Sequence, residues 1–174
     1  MLHVYYGDGK GKTTAAMGLV LRGLGAGLQP LVVQFLKDGS SAEIRVLSEK
    51  LGVPVLANTP PVKFGFQMSD AERDAARHEN SANLEHALAQ VEAGTCNLLV
   101  LDEVIDALAA GLLDETLLRR AVELAAGRED GPEVVLTGHS APPWLAEHAD
   151  YLTRTVSERH PYEHGVAARP GIEY

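Results

Sequence analysis

Residues 6–14 read YGDGKGKTT, with glycines at 7, 9 and 11 followed by Lys12, Thr13 and Thr14. This is the composition of a loop that wraps an anion. Glycines let the backbone bend so that successive N–H groups point at one centre, and the helix N-terminus that follows adds its positive dipole. Lys12 then reaches the distal phosphates of a nucleotide, and the Thr13 hydroxyl faces Mg²⁺. The usual pattern, G-x-x-x-x-G-K-[ST], has a glycine where Tyr6 stands. The turn glycines and Gly11-Lys12-Thr13 remain. A phosphate loop also needs a carboxylate at the end of a neighbouring strand to hold the metal directly or through water. Residues 97–103, NLLVLDE, supply an apolar strand ending in Asp102 and Glu103. Taken alone, two acids after a strand stabilise the start of a helix through its dipole. Beside a phosphate loop the metal role is the better reading, and which of the two acids touches the metal stays open.

The elements that must position these groups follow from the pattern around them. Apolar runs rich in valine and leucine predict strands near 2–6, 31–35, 53–57, 98–101 and 133–137, with a sixth near 151–156. Helices are expected over 13–25, 42–51, 69–93, 103–110, 115–126 and 142–148. The longest opens with a capping box, Ser69 and Glu72, and carries Leu84, Leu88 and Val91 on one face. Alternation of strands and helices predicts an α/β fold: a mostly parallel sheet with helices on both faces, of the phosphate-loop NTPase (RecA-like) kind. Residues 58–68, NTPPVKFGFQM, form the one long loop expected, and the stretch from His160 to Tyr174 is also irregular. In such a sheet the ligand lies at the carboxyl ends of the strands, so the loops there choose the chemistry.

A chain of 174 residues with 45% hydrophobic residues is the length of one domain, 1–174, able to bury a core without disulfides. Its net charge of −9 disfavours a nucleic acid partner. One cysteine, Cys96, beside an apolar run, reads as a small buried hydrophobe, and a reducing compartment is the simpler setting. No apolar run approaches membrane-spanning length and no signal-like segment opens the chain, so a cytoplasmic protein is expected. His160 and His164 are four apart with a proline between them and no third ligand identifiable, which favours a loop over a zinc site. Trp144, after two prolines, is expected to anchor the start of a helix in the core.

Several segments together resemble one family, the phosphate-loop-type corrinoid (cobalamin) adenosyltransferases. They are GDGKGKTTAAMGLVLRGLGAG, VVQFLKDG, Gly65-Phe66 before Arg73, LLVLDE, VVLTGH and the ending RHPYEHGVAARPGIEY. The resemblance spans essentially the whole chain, and it covers the loop as well, because the family's own loop lacks the same first glycine. It implies transfer of the 5′-deoxyadenosyl group of ATP to the cobalt of a reduced corrinoid, with triphosphate as the leaving product. It further implies that Gly7, Asp8, Gly9, Lys10, Gly11, Lys12, Thr13 and Thr14 hold the triphosphate, with the nucleotide reversed in the loop, and that Arg22 helps bind the nucleoside. Thr13 and Glu103 would hold Mg²⁺, with Asp102 supporting the metal shell. Lys12, Phe66 and Met68 are the candidate catalytic residues: Lys12 offsets triphosphate charge, and Phe66 with Met68 would lie beside the corrinoid and help exclude the lower axial ligand of cobalt. The corresponding partners are a flavin-type reductase supplying electrons and a second copy of the chain in a homodimer.

The chain departs from the family pattern at three places. Met68 stands where some members carry a tryptophan, and its flexible thioether can fill the space. His139 follows Thr137-Gly138 where arginine is frequent, which replaces a permanent cation by one near its titration range. Because Met1 lies just before the loop, a segment that packs over the site in longer members is expected to be missing. Two other functions fit the loop and LLVLDE alone: a phosphate-loop ATPase or small-molecule kinase, which would produce ADP, and a corrinoid- and nucleotide-binding module without turnover.

Overall fold

The computed structural model describes residues 1–60, 62–63, 67–126 and 131–172. Six strands form one sheet in the order β3-β2-β4-β5-β1-β6, and every pairing is parallel. They are β1 (Leu2–Tyr6), β2 (Pro30–Gln34), β3 (Val55–Leu56), β4 (Leu98–Asp102), β5 (Glu133–Gly138) and β6 (Tyr151–Arg154). The helices are α1 (Lys12–Gly25), α2 (Ala42–Arg45), α3 (Asp70–Glu92), α4 (Val104–Ala109), α5 (Glu115–Ala125) and α6 (Pro143–His148). A 3-10 turn, Pro161–His164, lies near the end.

Alternate side chains of β4 show how the apolar runs work. Leu99 and Leu101 pack with Leu84 and Leu88 of α3 and Leu118 of α5, whereas Leu98 and Val100 pack with Ala16, Met17 and Val20 of α1 and with Ile44 of α2. Side chains on a strand alternate between faces, so one uninterrupted apolar run serves two cores. Each fully buried leucine contributes about 1.5–3 kcal/mol relative to exposure. The sheet is therefore covered on both faces, as expected. The capping box of α3 is present: Ser69 Oγ accepts from Glu72 N–H, and Ser69 N–H donates to Glu72 Oε2 at 2.8 Å. Cys96 is buried, and desolvation pushes its thiol up to about 11. Trp144 is partly buried against the core, with the Arg119 guanidinium 4.0 Å from its ring centre. No described helix is long and apolar enough to cross a membrane.

Two elements differ from the expectation for physical reasons. The helix over 42–51 becomes one α-helical turn, α2, followed by a π-helical turn, Val46–Lys50, in which Leu51 N–H reaches Val46 C=O at 3.2 Å. The third strand shrinks to two residues because Val53 N–H donates to Leu47 C=O and Pro54 has no N–H to give. At the other edge β6 ends at Arg154, where the chain leaves the ladder and crosses the phosphate loop.

Candidate functional site

The loop after β1 is shaped by close contact with the segment after β6. Gly7 has φ 119°, and a Cβ there would lie 2.0 Å from Thr155 C=O; a Cβ on Gly9 would lie 2.7 Å from Val156 N. Only glycine fits such an approach. Thr155 ties the two together: its N–H donates to Tyr6 C=O at 2.8 Å, and its hydroxyl lies 3.1 Å from Gly9 C=O. Tyr6, where the usual pattern has glycine, is the last residue of β1, paired with Gly138 and Arg154 on either side and packed on the core. A strand residue can occupy that position because the loop's bend begins only at Gly7.

The loop delivers the chain into α1, whose N-cap Gly11 has φ 113° and whose first turn holds no acid. Its first backbone bond is Ala15 N–H to Gly11 C=O at 2.8 Å. The N–H groups of Lys12, Thr13 and Thr14 thus have no helical acceptor, and they stand at the positive end of the dipole, the usual seat of an anion. The Lys12 ammonium folds back over the loop, donating to Gly7 C=O at 2.7 Å and Gly9 C=O at 3.0 Å, and is nearly buried.

Asp102, at the end of β4, is fully buried and engaged on both oxygens. Its Oδ1 accepts from the hydroxyls of Thr13 and Thr137, both at 2.8 Å. Its Oδ2 accepts from Gln34 Nε2 at 3.1 Å and Lys37 Nζ at 2.8 Å. Charge-assisted bonds of this kind are what allow a carboxylate to stay buried. Among the described residues, Gln34 Oε1 is a buried acceptor without a partner. The next residue, Glu103, takes the left-handed conformation, φ 62°, with its N–H on Thr137 Oγ1 at 2.8 Å. For a residue other than glycine this conformation is uncommon and costs about 1 kcal/mol or more. It turns Glu103 away from the path of the strand and brings its Oε1 within 3.2 Å of Lys37 Nζ.

Glu103 also meets Asp106 and His139, and the ligand atoms of these three lie within 4.8 Å of one another. His139 N–H donates to both Asp106 oxygens at 3.1 Å, and its Nδ1 lies 3.0 Å from Oδ2. His139, through both its backbone N–H and its ring, is therefore committed to a carboxylate of α4. Burial pushes the Glu103 carboxyl up, and its contact with Asp106 adds to this against the pull of Lys37. Burial would also raise Asp106, but hydrogen bonds with Glu103 and His139 outweigh it and hold Asp106 below its usual range. For Lys37, burial would lower the pKa, and the Asp102 and Glu103 carboxylates more than reverse that.

The structure thus brings Thr13, Asp102 and Glu103 together around the start of α1, with Lys12 and the loop glycines beside them. Asp8 and Lys10 are exposed on the loop, and Thr14 is exposed in the first turn of α1. Arg22 lies in the last turn of α1, exposed, ten residues past Lys12 and so about 15 Å along the helix axis. There its charge complements the helix C-terminus. Met68 is partly buried just before α3. Phe66 lies outside the described residues. Lys37, Gln34, Thr137, Asp106 and Thr155 belong to the site but were not singled out from the sequence. Gln34 and Lys37 sit in VVQFLKDG and Thr137 in VVLTGH, so the signal available was the polar residues at the carboxyl ends of strands. Next to the loop, a cleft of about 340 Å³ is lined by Tyr6, Gly7, Asp8, His139, Ser140 and Arg154 among others.

A parallel sheet with a glycine loop between its first strand and first helix, and a threonine bonded to the aspartate ending a second strand, defines a phosphate-loop nucleotide-binding protein. Within that class, residues 1–174 match the family ATP:corrinoid adenosyltransferase BtuR/CobO/CobP, and the chain belongs to it. It is 33% identical over 175 residues to the corrinoid adenosyltransferase of Pseudomonas aeruginosa, covering 100% of this chain and 83% of that protein. A corrinoid adenosyltransferase of Sinorhizobium sp is 32% identical over 178 residues, with 100% and 80% covered. The corrinoid adenosyltransferase CobA of Salmonella typhimurium is 30% identical over 171 residues, with 98% and 84% covered.

Proposed function

We propose that this chain, acting as one domain, transfers the 5′-deoxyadenosyl group of ATP to the cobalt of a reduced corrinoid. The family match over residues 1–174 carries this reading, and the phosphate loop joined to Asp102 through Thr13 supports it. The bond that breaks joins the ribose 5′ carbon to the triphosphate, and the bond that forms joins that carbon to cobalt. Cobalt(I) supplies the electron pair and the triphosphate leaves with the pair of the broken bond. Such a nucleophile needs no protein base, so the chain's contribution is to orient the nucleotide and to neutralise the leaving group. Lys12, Lys10 and the N–H groups starting α1 do this, with Gly7 to Thr14 as the cradle. Arg22, in this reading, serves the nucleoside.

The donors around Thr13 fit Mg²⁺: a hydroxyl and two carboxylates, all hard oxygens, already gathered about one ammonium. Thr13 and Glu103 would hold the ion and Asp102 would orient Thr13. Bound there, Mg²⁺ supplies positive charge to the departing triphosphate. Phe66 and Met68 are assigned to the corrinoid side. A flavin-type reductase as electron source, a homodimer and a cytoplasmic location complete the proposal.

Incubation with ATP, Mg²⁺ and chemically reduced cobalamin, followed by separation of products, tests it. Adenosylated corrinoid and intact triphosphate are expected in equal amounts. ADP without adenosylated corrinoid would mean a kinase or ATPase instead.

A further inference from the structure

Lys37 has no part in the reading above, yet its ammonium sits at the centre of the proposed metal donors. Nζ lies 2.8 Å from Asp102 Oδ2, 3.2 Å from Thr13 Oγ1 and 3.2 Å from Glu103 Oε1. The segment that carries it is held on both sides. Phe35 N–H donates to Asp102 C=O at 2.9 Å, and Lys37 C=O accepts from Asn58 N–H at 2.9 Å. Between these anchors Leu36 takes φ 57°, a conformation that a branched side chain rarely adopts. The backbone is thus fixed in an unfavourable geometry whose result is to aim one lysine at these three oxygens.

A divalent cation of the size of Mg²⁺ binds oxygen at about 2.0–2.1 Å and keeps an octahedral shell. It cannot share Thr13 and Glu103 with an ammonium already in contact with both. We propose that Lys37 is a tethered competitor for the divalent cation: ammonium and metal exclude each other at these oxygens, and the lysine yields only when the metal arrives with a triphosphate. This rests on the assignment of Thr13 and Glu103 to Mg²⁺.

The driving force lies in the charges. A free divalent cation must shed water and displace a cation that is bound intramolecularly, and the displaced ammonium gives up its contacts with Thr13 and Glu103. With the triphosphate in the loop the exchange is favourable, because the four-carbon side chain can swing from Thr13 Oγ1 to phosphate oxygens at the start of the same helix. Only the side chain need move, since the backbone on both sides of Lys37 is tied. Lys37 then joins Lys12 as a binding residue for the triphosphate, and the metal enters as its nucleotide complex, not before it.

Mn²⁺ is a suitable probe, because its free form is counted directly by electron paramagnetic resonance. Without nucleotide, wild-type protein should take up Mn²⁺ no better than Glu103→Gln. Lys37→Met should gain a site roughly tenfold tighter, the size usual for coupling between two occupants, and the gain should vanish in Lys37→Met combined with Glu103→Gln. Mn²⁺ should raise the melting temperature of Lys37→Met more than that of wild type, which also shows that the variant is folded. Inorganic triphosphate should bind Lys37→Met less tightly than wild type. Equal Mn²⁺ uptake by wild type and Lys37→Met without nucleotide would overturn the proposal. If Mn²⁺ fails to load on either protein even with ATP, the metal assignment itself falls, and the proposal with it.

Discussion

Around Asp102 and along the segment from Pro161 to Ile172, the same chain builds in opposite ways. Asp102 is wholly buried and touched by Thr13, Gln34, Lys37 and Thr137, which come from four different elements. Every residue from Pro161 to Ile172 is exposed, Tyr162 at 77% and Ile172 at 53%, and the backbone hydrogen bonds among the described residues there join near neighbours, such as Gly165 N–H to Tyr162 C=O. Both regions carry motifs by which the family is recognised. In the first, the motif residues hold the fold as well as the site, so a change there is felt in stability and chemistry together. In the second, the motif contributes little to stability, so its residues can be altered with the fold left standing.

The sharpest way to break this contrast is Asp102→Ala. It leaves the buried Gln34 amide and the hydroxyls of Thr13 and Thr137 without their acceptor and Lys37 with Glu103 as its remaining carboxylate, and should cost about 3–5 kcal/mol in urea unfolding, the sum of several such losses at about 1–3 kcal/mol each. A loss under 1 kcal/mol would show that the network is not what holds these elements together. Next in size is Gly7→Ala, which meets Thr155 at a φ of 119°. About 1–3 kcal/mol should be lost, with weaker ATP binding. Gly165→Ala, at φ 75° with nothing within 4 Å, should cost under about 0.5 kcal/mol of global stability, because strain in an exposed segment is relieved locally.

A smaller effect tests a purely local device. Glu72, bonded to Lys63 and to the Ser69 cap, is lowered from 4.5 to about 2. A depressed carboxyl contributes stability that is present above its unfolded value and lost as pH falls through the folded one. Glu72→Gln should therefore flatten the decline in melting temperature between about pH 4.5 and pH 2. At neutral pH this variant reads only the loss of the charge itself. The smallest effect is expected from removing residues 161–174, within about 0.5 kcal/mol of the full chain. A larger loss would mean that the exposed segment braces the sheet and that the two regions are less different than their burial suggests.

Much of the fold was legible because its signals are local. Four consecutive apolar residues before Asp102 can bury both faces only in a covered sheet, and Ser69 with Glu72 announces a helix within four residues. The trimming of β3 was not legible as a strand signal, since it follows from Val53 turning back to Leu47 and from Pro54 lacking an N–H. Of the site, YGDGKGKTT and LLVLDE were readable as types of residue at a spacing. Lys37, Thr137 and Thr155 were not, because each acts on a partner far away in sequence: Lys37 on Asp102, Thr137 on Glu103 and Thr155 on Gly9.

By itself, the sequence determined the periodicities, the caps and the glycine loop, and therefore a parallel sheet with that loop between its first strand and first helix. These depend on neighbours within a few residues, where backbone geometry leaves few options. Only the tertiary structure decided that the loop is closed by the chain leaving β6, that His139 is held by Asp106, and that the Lys37 ammonium stands among the oxygens of Thr13, Asp102 and Glu103. Those facts depend on strand order and on the turn at Glu103, and no spacing along the chain encodes which strand ends meet.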